Sequence, residues 1–424
     1  AVGGQEPFYV VEQTGDADGY EGRQQIFAGY GQMDLPITRW FKITGGARYE
    51  FSQISMRPFN PFDRENPDFE TFETTDSDVF PAASLIFSPN SKMNVRIGGT
   101  RTIARPEMRE LAPFSFTKSF GGVTSEGFDL LESTRVWNAD LRWEWFPSGG
   151  EVVAVSAFFK HFDSPIEAVL TSGTSSELQS WVNSKSAINI GGEAEFKKNL
   201  GFLGRDRETS SMRPKLRWLE DISLGANFAY IFSRVQPVSE YTATDGNTYI
   251  VGENFEGECP EDDQRCRHYL QYSAAGADSR PLAGVSPWIL NAFIDYDNSS
   301  SGTRARVLYN AFGERLWRLS EFGNIWETPQ HMLDLVMSQR LFQVASSTDS
   351  FEAEMSQELR VTLRVGNILN TKFGVVQRLT DDVVREIEAN QIASGVANPS
   401  VVQEIDRSNF RKGVDIRLGL SYSF

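Results

Sequence analysis

The stretch Val414-Asp415-Ile416-Arg417-Leu418-Gly419-Leu420-Ser421-Tyr422-Ser423-Phe424 alternates apolar and polar residues without a slip and stops on an aromatic ring. Side chains along a strand point to opposite faces by turns, so Ile416, Leu418, Leu420, Tyr422 and Phe424 share one face while Asp415 and Arg417 share the other. In a soluble sandwich the apolar face would meet a second sheet. In an outer-membrane barrel it would meet lipid, with the charged face turned to a wet lumen. One strand fits both, and the remainder of the chain separates them.

The same alternation recurs from end to end. Trp137, Ala139, Leu141, Trp143 and Trp145 oppose Asn138, Asp140, Arg142 and Glu144; Leu359, Val361, Leu363 and Val365 oppose Arg360, Thr362, Arg364 and Gly366. Strands are expected near 7–14, 22–34, 38–51, 78–88, 92–103, 134–146, 151–162, 184–198, 217–234, 286–297, 303–315, 330–341, 356–369 and 411–424. Short connections rich in turn formers, such as Pro89 to Ser91 and Asn298 to Gly302, take turns with long polar ones near 52–77, 104–133, 163–183, 235–285, 316–329 and 370–410. Tight turns at one end and extended loops at the other are the asymmetry of an up-and-down transmembrane barrel. Connections near 199–216 and 342–355 are longer than that rule asks.

Composition agrees with a membrane barrel and narrows the alternatives. Hydrophobic residues make up 40% of the 424 and no run approaches the roughly 20 apolar residues of a membrane helix, whereas a barrel strand buries only alternate residues in lipid. Aromatics reach 12%. The net charge of -16 excludes nucleic acid as a partner, since phosphate contacts need a basic surface. Cys259 and Cys266 enclose a polar segment without metal-ligand spacing and read as a loop disulfide formed in an oxidising compartment. His161, His268 and His331 are scattered, and no nucleophile motif, phosphate loop or metal cluster is found, so catalytic, cofactor and metal sites are all read as none.

Four segments in order resemble the TonB-dependent outer-membrane receptors of Gram-negative bacteria. The first runs from Pro81-Ala82-Ala83-Ser84-Leu85-Ile86-Phe87 through Asn94-Val95-Arg96-Ile97-Gly98-Gly99 to Ala104-Arg105-Pro106-Glu107, similar to a mid-barrel hairpin entering an Arg-Pro element. Asn189-Ile190-Gly191-Gly192-Glu193-Ala194-Glu195 resembles the Gly-x-Glu strand. Val365-Gly366-Asn367-Ile368-Leu369-Asn370-Thr371-Lys372-Phe373 resembles the Asn-Leu-Phe-Asn-x-x-Tyr element, with Ile-Leu and Phe as departures, and the Phe-terminated strand completes the set. The resemblance implies import of a scarce or large ligand (iron chelate, cobalamin, glycan or peptide) across the outer membrane. It also implies a TonB-type energy-coupling protein as partner, with a surface lipoprotein lid in one branch of the family. The family's barrels have about 22 strands around an N-terminal plug. Here about 14 strands are counted, with neither plug nor coupling box, so residues 1–424 are expected to be one all-β barrel region that pairs with strands and a plug outside this sequence. A passive 14-stranded porin-like channel is the alternative, and a secreted all-β carbohydrate-binding or hydrolytic protein the second.

In that frame Arg96, Arg142, Glu144, Glu193, Glu195, Asp334, Arg360, Arg364, Asp415 and Arg417 are expected on the lumenal, plug-facing side as ion pairs. Trp40, Trp143, Trp145, Tyr296, Ile416, Leu418, Leu420, Tyr422 and Phe424 are expected in the lipid belt or its girdles. The carboxylates Asp63, Glu65, Asp68, Glu70, Glu73, Asp76, Asp78, Glu258, Glu261, Asp262 and Asp263 read as solvated loop charge, with capture of a hard cation such as calcium as the other reading. No residue is assigned to ligand.

Overall fold

A computed structural model describes residues 19–59, 62, 71–113, 115–117, 123–172, 177–204, 214–238, 240–242, 248–250, 260, 263–272, 280–345, 356–394 and 403–423. Its dominant feature is one antiparallel sheet in which sequence neighbours are spatial neighbours. The wall strands are β1 (Gly19–Pro36), β2 (Phe41–Phe59), β3 (Phe72–Asn90), β4 (Met93–Ala104), β5 (Thr134–Trp145), β6 (Val152–Asp163) and β7 (Ser186–Asn199). They continue as β8 (Ile222–Gln236), β9 (Trp288–Asn298), β10 (Thr303–Phe312), β11 (Gln330–Ala345), β12 (Ser356–Gly366) and β13 (Asp415–Ser423). These thirteen strands pair in that order, an up-and-down meander. Among the described residues β1 pairs only with β2 and β13 only with β12. The expected strand at 7–14 lies outside the described residues.

Register keeps every apolar row on one face. Phe41 sits opposite Phe87, then Val95, Trp143, Val155, Ala194, Phe228, Leu290 and Ala311 follow across successive strands. Lower down, Ile294 leads through Val307, Leu335 and Val365 to Ile416. A one-residue slip at any ladder would throw its charged set onto this face. The short turns close as their residues require: at the β9–β10 turn Asn298 Oδ1 accepts from the Ser301 amide at 2.8 Å, and Gly302 takes φ +70°, which a side chain would resist.

The wall has almost no interior of its own. Ile97, Leu141, Phe228, Ile294 and Leu418 remain well exposed, and the buried apolar residues collect at the other end of the molecule, among the long connections. There the expected irregular loops fold into a second, eight-stranded sheet of short strands: Glu404–Arg411, Lys372–Arg378, Ile325–Glu327, Arg315–Ser320, Ile166–Ser172, Glu177–Asn183, Thr124–Glu126 and Ser115–Thr117. Parallel ladders join different connections, Leu319 opposite Val169 and Leu178 opposite Thr124. Gly323, at φ +125°, lets the Arg378 carbonyl approach where a Cβ would stand 1.9 Å from it. Several expected boundaries shift for local reasons. β2 and β3 run past their expected ends and carry the wall up into the cap. Residues 217–221, expected to open a strand, belong instead to the 3₁₀ helix Pro214–Asp221, so that strand begins at Ile222. The last expected strand, 411–424, starts only at Asp415, after Gly413 with φ +81°, and the expected connection 370–410 holds Glu404–Arg411, a strand of the second sheet.

Candidate functional site: the charged face and the cap

Two regions carry the polar chemistry: the wall face opposite the apolar rows, and the cap built from the long connections. On the wall, the register places Arg96, Arg142, Glu144, Glu193, Glu195, Asp334, Arg360, Arg364, Asp415 and Arg417 together on that single face. Arg142 is central. It bonds Glu144 at 2.8 Å within its own strand and reaches Glu195 on β7 at 2.6 Å, while Arg96 approaches Glu144 at 3.2 Å. Arg360 pairs with Glu358 and Arg417 with Asp415, both at 2.7 Å, and Asp334 accepts from the Asn367 amide at 2.7 Å. Arg306 and Asp295 add a pair on the same face. Between these groups an amide ladder links Asn310 to Asn291 and Asn291 to Asn227. Small residues open room against β1–β3, where a cavity of about 440 Å³ is lined by Gly46, Ala82, Ser84 and Arg48 among others.

On the opposite face Ile416, Leu418, Leu420 and Tyr422 are 68%, 76%, 70% and 50% exposed, a row of apolar side chains that water would not favour. Trp40 packs edge-on against Phe87 at 5.3 Å beside the β1–β2 turn, and Trp145 stands exposed at the end of β5. Trp143 and Tyr296 share the face half-buried. Phe424 lies outside the described residues.

The cap is a packed structure. Ile54, Met56, Leu111, Ala112 and Leu131 form one core and Val169, Val182, Leu316 and Leu319 another. Beside the second, buried Arg280 grips Glu167 with two bonds of 2.8 and 2.9 Å, and Ser184 Oγ and the Ala283 amide donate to the same carboxylate. A buried ion pair with its remaining lone pairs satisfied holds together two connections, β6–β7 and β8–β9. His268, on the helix Gln264–Tyr272, stacks on Phe128 with ring centroids 3.6 Å apart and meets the Trp181 carbonyl at 2.8 Å. Burial drives its pKa down to about 4, so the ring is neutral at pH 7, and burial likewise pushes Tyr269 up to about 12. Arg265 on the same helix bonds Glu132 at 3.0 Å and the Leu130 carbonyl at 2.9 Å.

Three expected solvated loop charges prove to be structural. Asp76 pairs with Arg135 at 3.2 Å and Asp78 with Arg135 at 2.8 Å, and Arg105 of the Arg-Pro element spans Glu50 at 2.9 Å and Asp76 at 3.8 Å. Asp76 and Asp78 lie in the cap-side part of β3 and meet Arg105 just past β4 and Arg135 at the start of β5, so they weld cap to wall instead of meeting water. Asp263 is buried and accepts from the Cys266 amide at 2.8 Å, capping its helix. Glu73 accepts from Gln53 at 3.0 Å. Asp63, Glu65, Asp68, Glu70, Glu258, Glu261 and Asp262 lie outside the described residues. Among the described residues no group of three or more His, Cys, Asp or Glu side chains is placed to hold a metal. Cys266 is buried and not a free thiol, while Cys259 lies outside the described residues.

Sequence reasoning missed the Glu167–Arg280 clamp, the His268 stack and both cap cores. The partners of the clamp are 113 residues apart in the chain, and only β propensity around Ile166–Leu170 hinted at a strand there.

Comparison with known proteins adds the family. The chain matches the TonB dependent receptor-like β-barrel family over residues 3–368. Solved structures with similar folds include a ferric enterobactin receptor of Pseudomonas aeruginosa, at 12% identity over 83% of this chain and 49% of that one, TM-score 0.42. The ferric yersiniabactin uptake receptor of Yersinia pestis matches at 12% identity over 84% and 42%, TM-score 0.46. The siderophore receptor PirA of Pseudomonas aeruginosa matches at 14% over 82% and 54%, TM-score 0.43. This chain spans about half the length of these proteins. No curated protein matches it.

Proposed function

Since the chain belongs to the TonB-dependent receptor β-barrel family, we propose that it supplies barrel wall and ligand-facing cap to an energy-coupled importer in the outer membrane of a Gram-negative bacterium. The observation that carries this reading is the register. Apolar rows along one face, with paired charges and an amide ladder on the other, suit a sheet between lipid and a polar lumen. A soluble sheet would cover the apolar face. The charged face is assigned to the lumen, where Arg96, Arg142, Glu144 and Glu195 meet water and a plug. The apolar face, with Trp40, Trp145 and Leu418, is assigned to lipid.

The cap is assigned to ligand recognition at the cell surface, and a Cys259–Cys266 bridge to closing its largest connection. A plug and the strands completing the barrel come from sequence beyond these residues, and a TonB-type protein couples the plug to the inner membrane. No covalent chemistry is assigned to the barrel. The ligand is one too large or scarce for passive diffusion.

Bilayer recording on the complete protein separates the readings. A plugged importer gives no steady conductance, a porin gives large open channels, and a secreted protein stays soluble without detergent. Import that stops when the coupling protein is deleted completes the test.

A further inference from the structure

The connection between β7 and β8 lies at the short-turn end, yet it is not a tight turn. It holds a short helix, Gly201–Gly204, and the 3₁₀ helix Pro214–Asp221, and these pack on each other and on the ends of β7, β8 and β9. The hairpin is pinned where the Leu200 amide donates to the Ile222 carbonyl at 2.8 Å and Asn298 donates to Asp221 at 2.6 Å. Leu216 and Leu219 turn partly inward, while Lys215, Arg217 and Trp218 are exposed. Residues three apart eclipse in a 3₁₀ helix, so Lys215 and Trp218 project from one side.

Three large apolar side chains stand out here: Phe202, Leu203 and Trp218 are 52%, 57% and 53% exposed. The position of Phe202 is fixed relative to the apolar rows. Lys198 sits opposite Leu224 on the apolar face of the wall, its ammonium held by buried Glu151 at 2.7 Å, and it lies over the Phe202 ring at 5.2 Å. Phe202 therefore continues the row that runs down through Phe196 and Leu224. Charge changes sign at the same place. Between residues 197 and 218 the sequence has seven Lys or Arg against two Asp or Glu, in a chain of net charge -16. Among the described residues here the acidic groups are Glu151, which holds Lys198, exposed Glu220 and Asp221.

We propose that the two short helices of the β7–β8 connection, Gly201–Gly204 and Pro214–Asp221, form an interfacial anchor on the inner leaflet, with Phe202, Leu203 and Trp218 at the headgroup level and Lys215 and Arg217 on the phosphates of anionic phospholipids. A tryptophan with an apolar body and one N–H suits that depth, and flanking basic groups add attraction to anionic lipid. Continuity with the apolar rows and the local reversal of charge single out lipid over a periplasmic protein as the occupant. The proposal rests on the reading that the apolar face meets lipid.

The test uses the complete protein in vesicles of phosphatidylethanolamine with and without phosphatidylglycerol. A nitroxide is placed at Trp218→Cys, at Leu141→Cys on the apolar face, and at Ser300→Cys in the β9–β10 turn. The expected result is a collision ratio, oxygen over a water-soluble nickel chelate, several-fold higher at 218 than at 300, rising further with phosphatidylglycerol. Lys215→Gln with Arg217→Gln should abolish that rise, at roughly fivefold per basic side chain in lipid preference. Should the cysteine variant not fold, brominated lipid quenching of the wild type, compared with Trp218→Phe, reports the same depth. A label at 218 as water-accessible as that at 300, with 141 in lipid, overturns the anchor alone. Water access at both 218 and 141 overturns the lipid reading beneath it. Depth at 218 without response to phosphatidylglycerol overturns the headgroup contact.

Discussion

The wall and the cap solve opposite problems with the same residue types. In the wall, backbone pairing is local, each strand bonded to the wall strand before or after it, and large apolar side chains face outward. In the cap, strands as short as three residues pair across distant connections, and apolar side chains face inward around Leu111, Leu316 and Val169. The wall owes its order to alternation and needs an apolar solvent; the cap owes its order to a core and behaves as a small soluble domain. The prediction that follows is that substitutions sort by region: a charge is punished on the wall's apolar face, and a lost partner is punished in the cap.

The largest effect is expected at the clamp. Arg280→Ala leaves the Glu167 carboxylate buried without its cation and should cost about 3 to 5 kcal/mol of cap stability. Hydrogen exchange should show the amides of Ile166–Ser172 opening while β9 and β10 keep their protection. Equal loss in wall and cap would show that the two are one cooperative unit.

On the wall, Leu418→Arg should cost on the order of 2 to 4 kcal/mol if the residue lies near the midplane, and Thr362→Arg, opposite Gly419 on the charged face, should cost under about 1 kcal/mol. Urea titration in lipid vesicles measures both. Equal costs would remove the distinction between the faces.

Acidity should act on the cap and spare the wall. The unfolded His268 ring takes up a proton near pH 6.5 and the stacked ring only near 4, so the unfolded state binds more protons between those values and stability falls as pH drops through that window. At pH 5 the loss is about 2 kcal/mol relative to pH 7. His268→Phe keeps the stack on Phe128 and should flatten the dependence, read by protease cleavage of the cap between pH 7 and 5.

The smallest effect is expected from the charged face of the wall. Arg142→Ala breaks bonds to Glu144 and Glu195; Glu195 is solvated, so that pair is worth under about 1 kcal/mol, and buried Glu144 keeps Arg96 at 3.2 Å. A drop of several kcal/mol would mean that this face is dry.

The same contrast explains what could be read from sequence. Alternation is local, so β4, β5 and β6 are legible to within a residue at each end, as is the grouping of Arg96, Arg142, Glu144 and Glu195 on one face. The cap was not legible, because its information is non-local. Glu167 gives no sign of needing Arg280, and Ser115–Thr117 is too short to show a period. Asp76 and Asp78 looked like solvated loop charge for the same reason: their arginines, Arg105 and Arg135, come from the other side of a hairpin. The end of the 3₁₀ segment, 217–221, reads as the start of a strand because it runs straight into the alternation of Ile222, Leu224, Ala226 and Phe228.

The central claim is that each wall strand lies between two solvents, lipid and a wet lumen, and β9 tests it best because both its neighbours are present. Single cysteines at each residue from Leu290 to Tyr296, in the complete protein in outer membranes, are challenged with a water-soluble maleimide. The account predicts reaction at Asn291, Phe293 and Asp295 and protection at Leu290, Ala292, Ile294 and Tyr296. Uniform reactivity, or reaction at the even-numbered set, would contradict it.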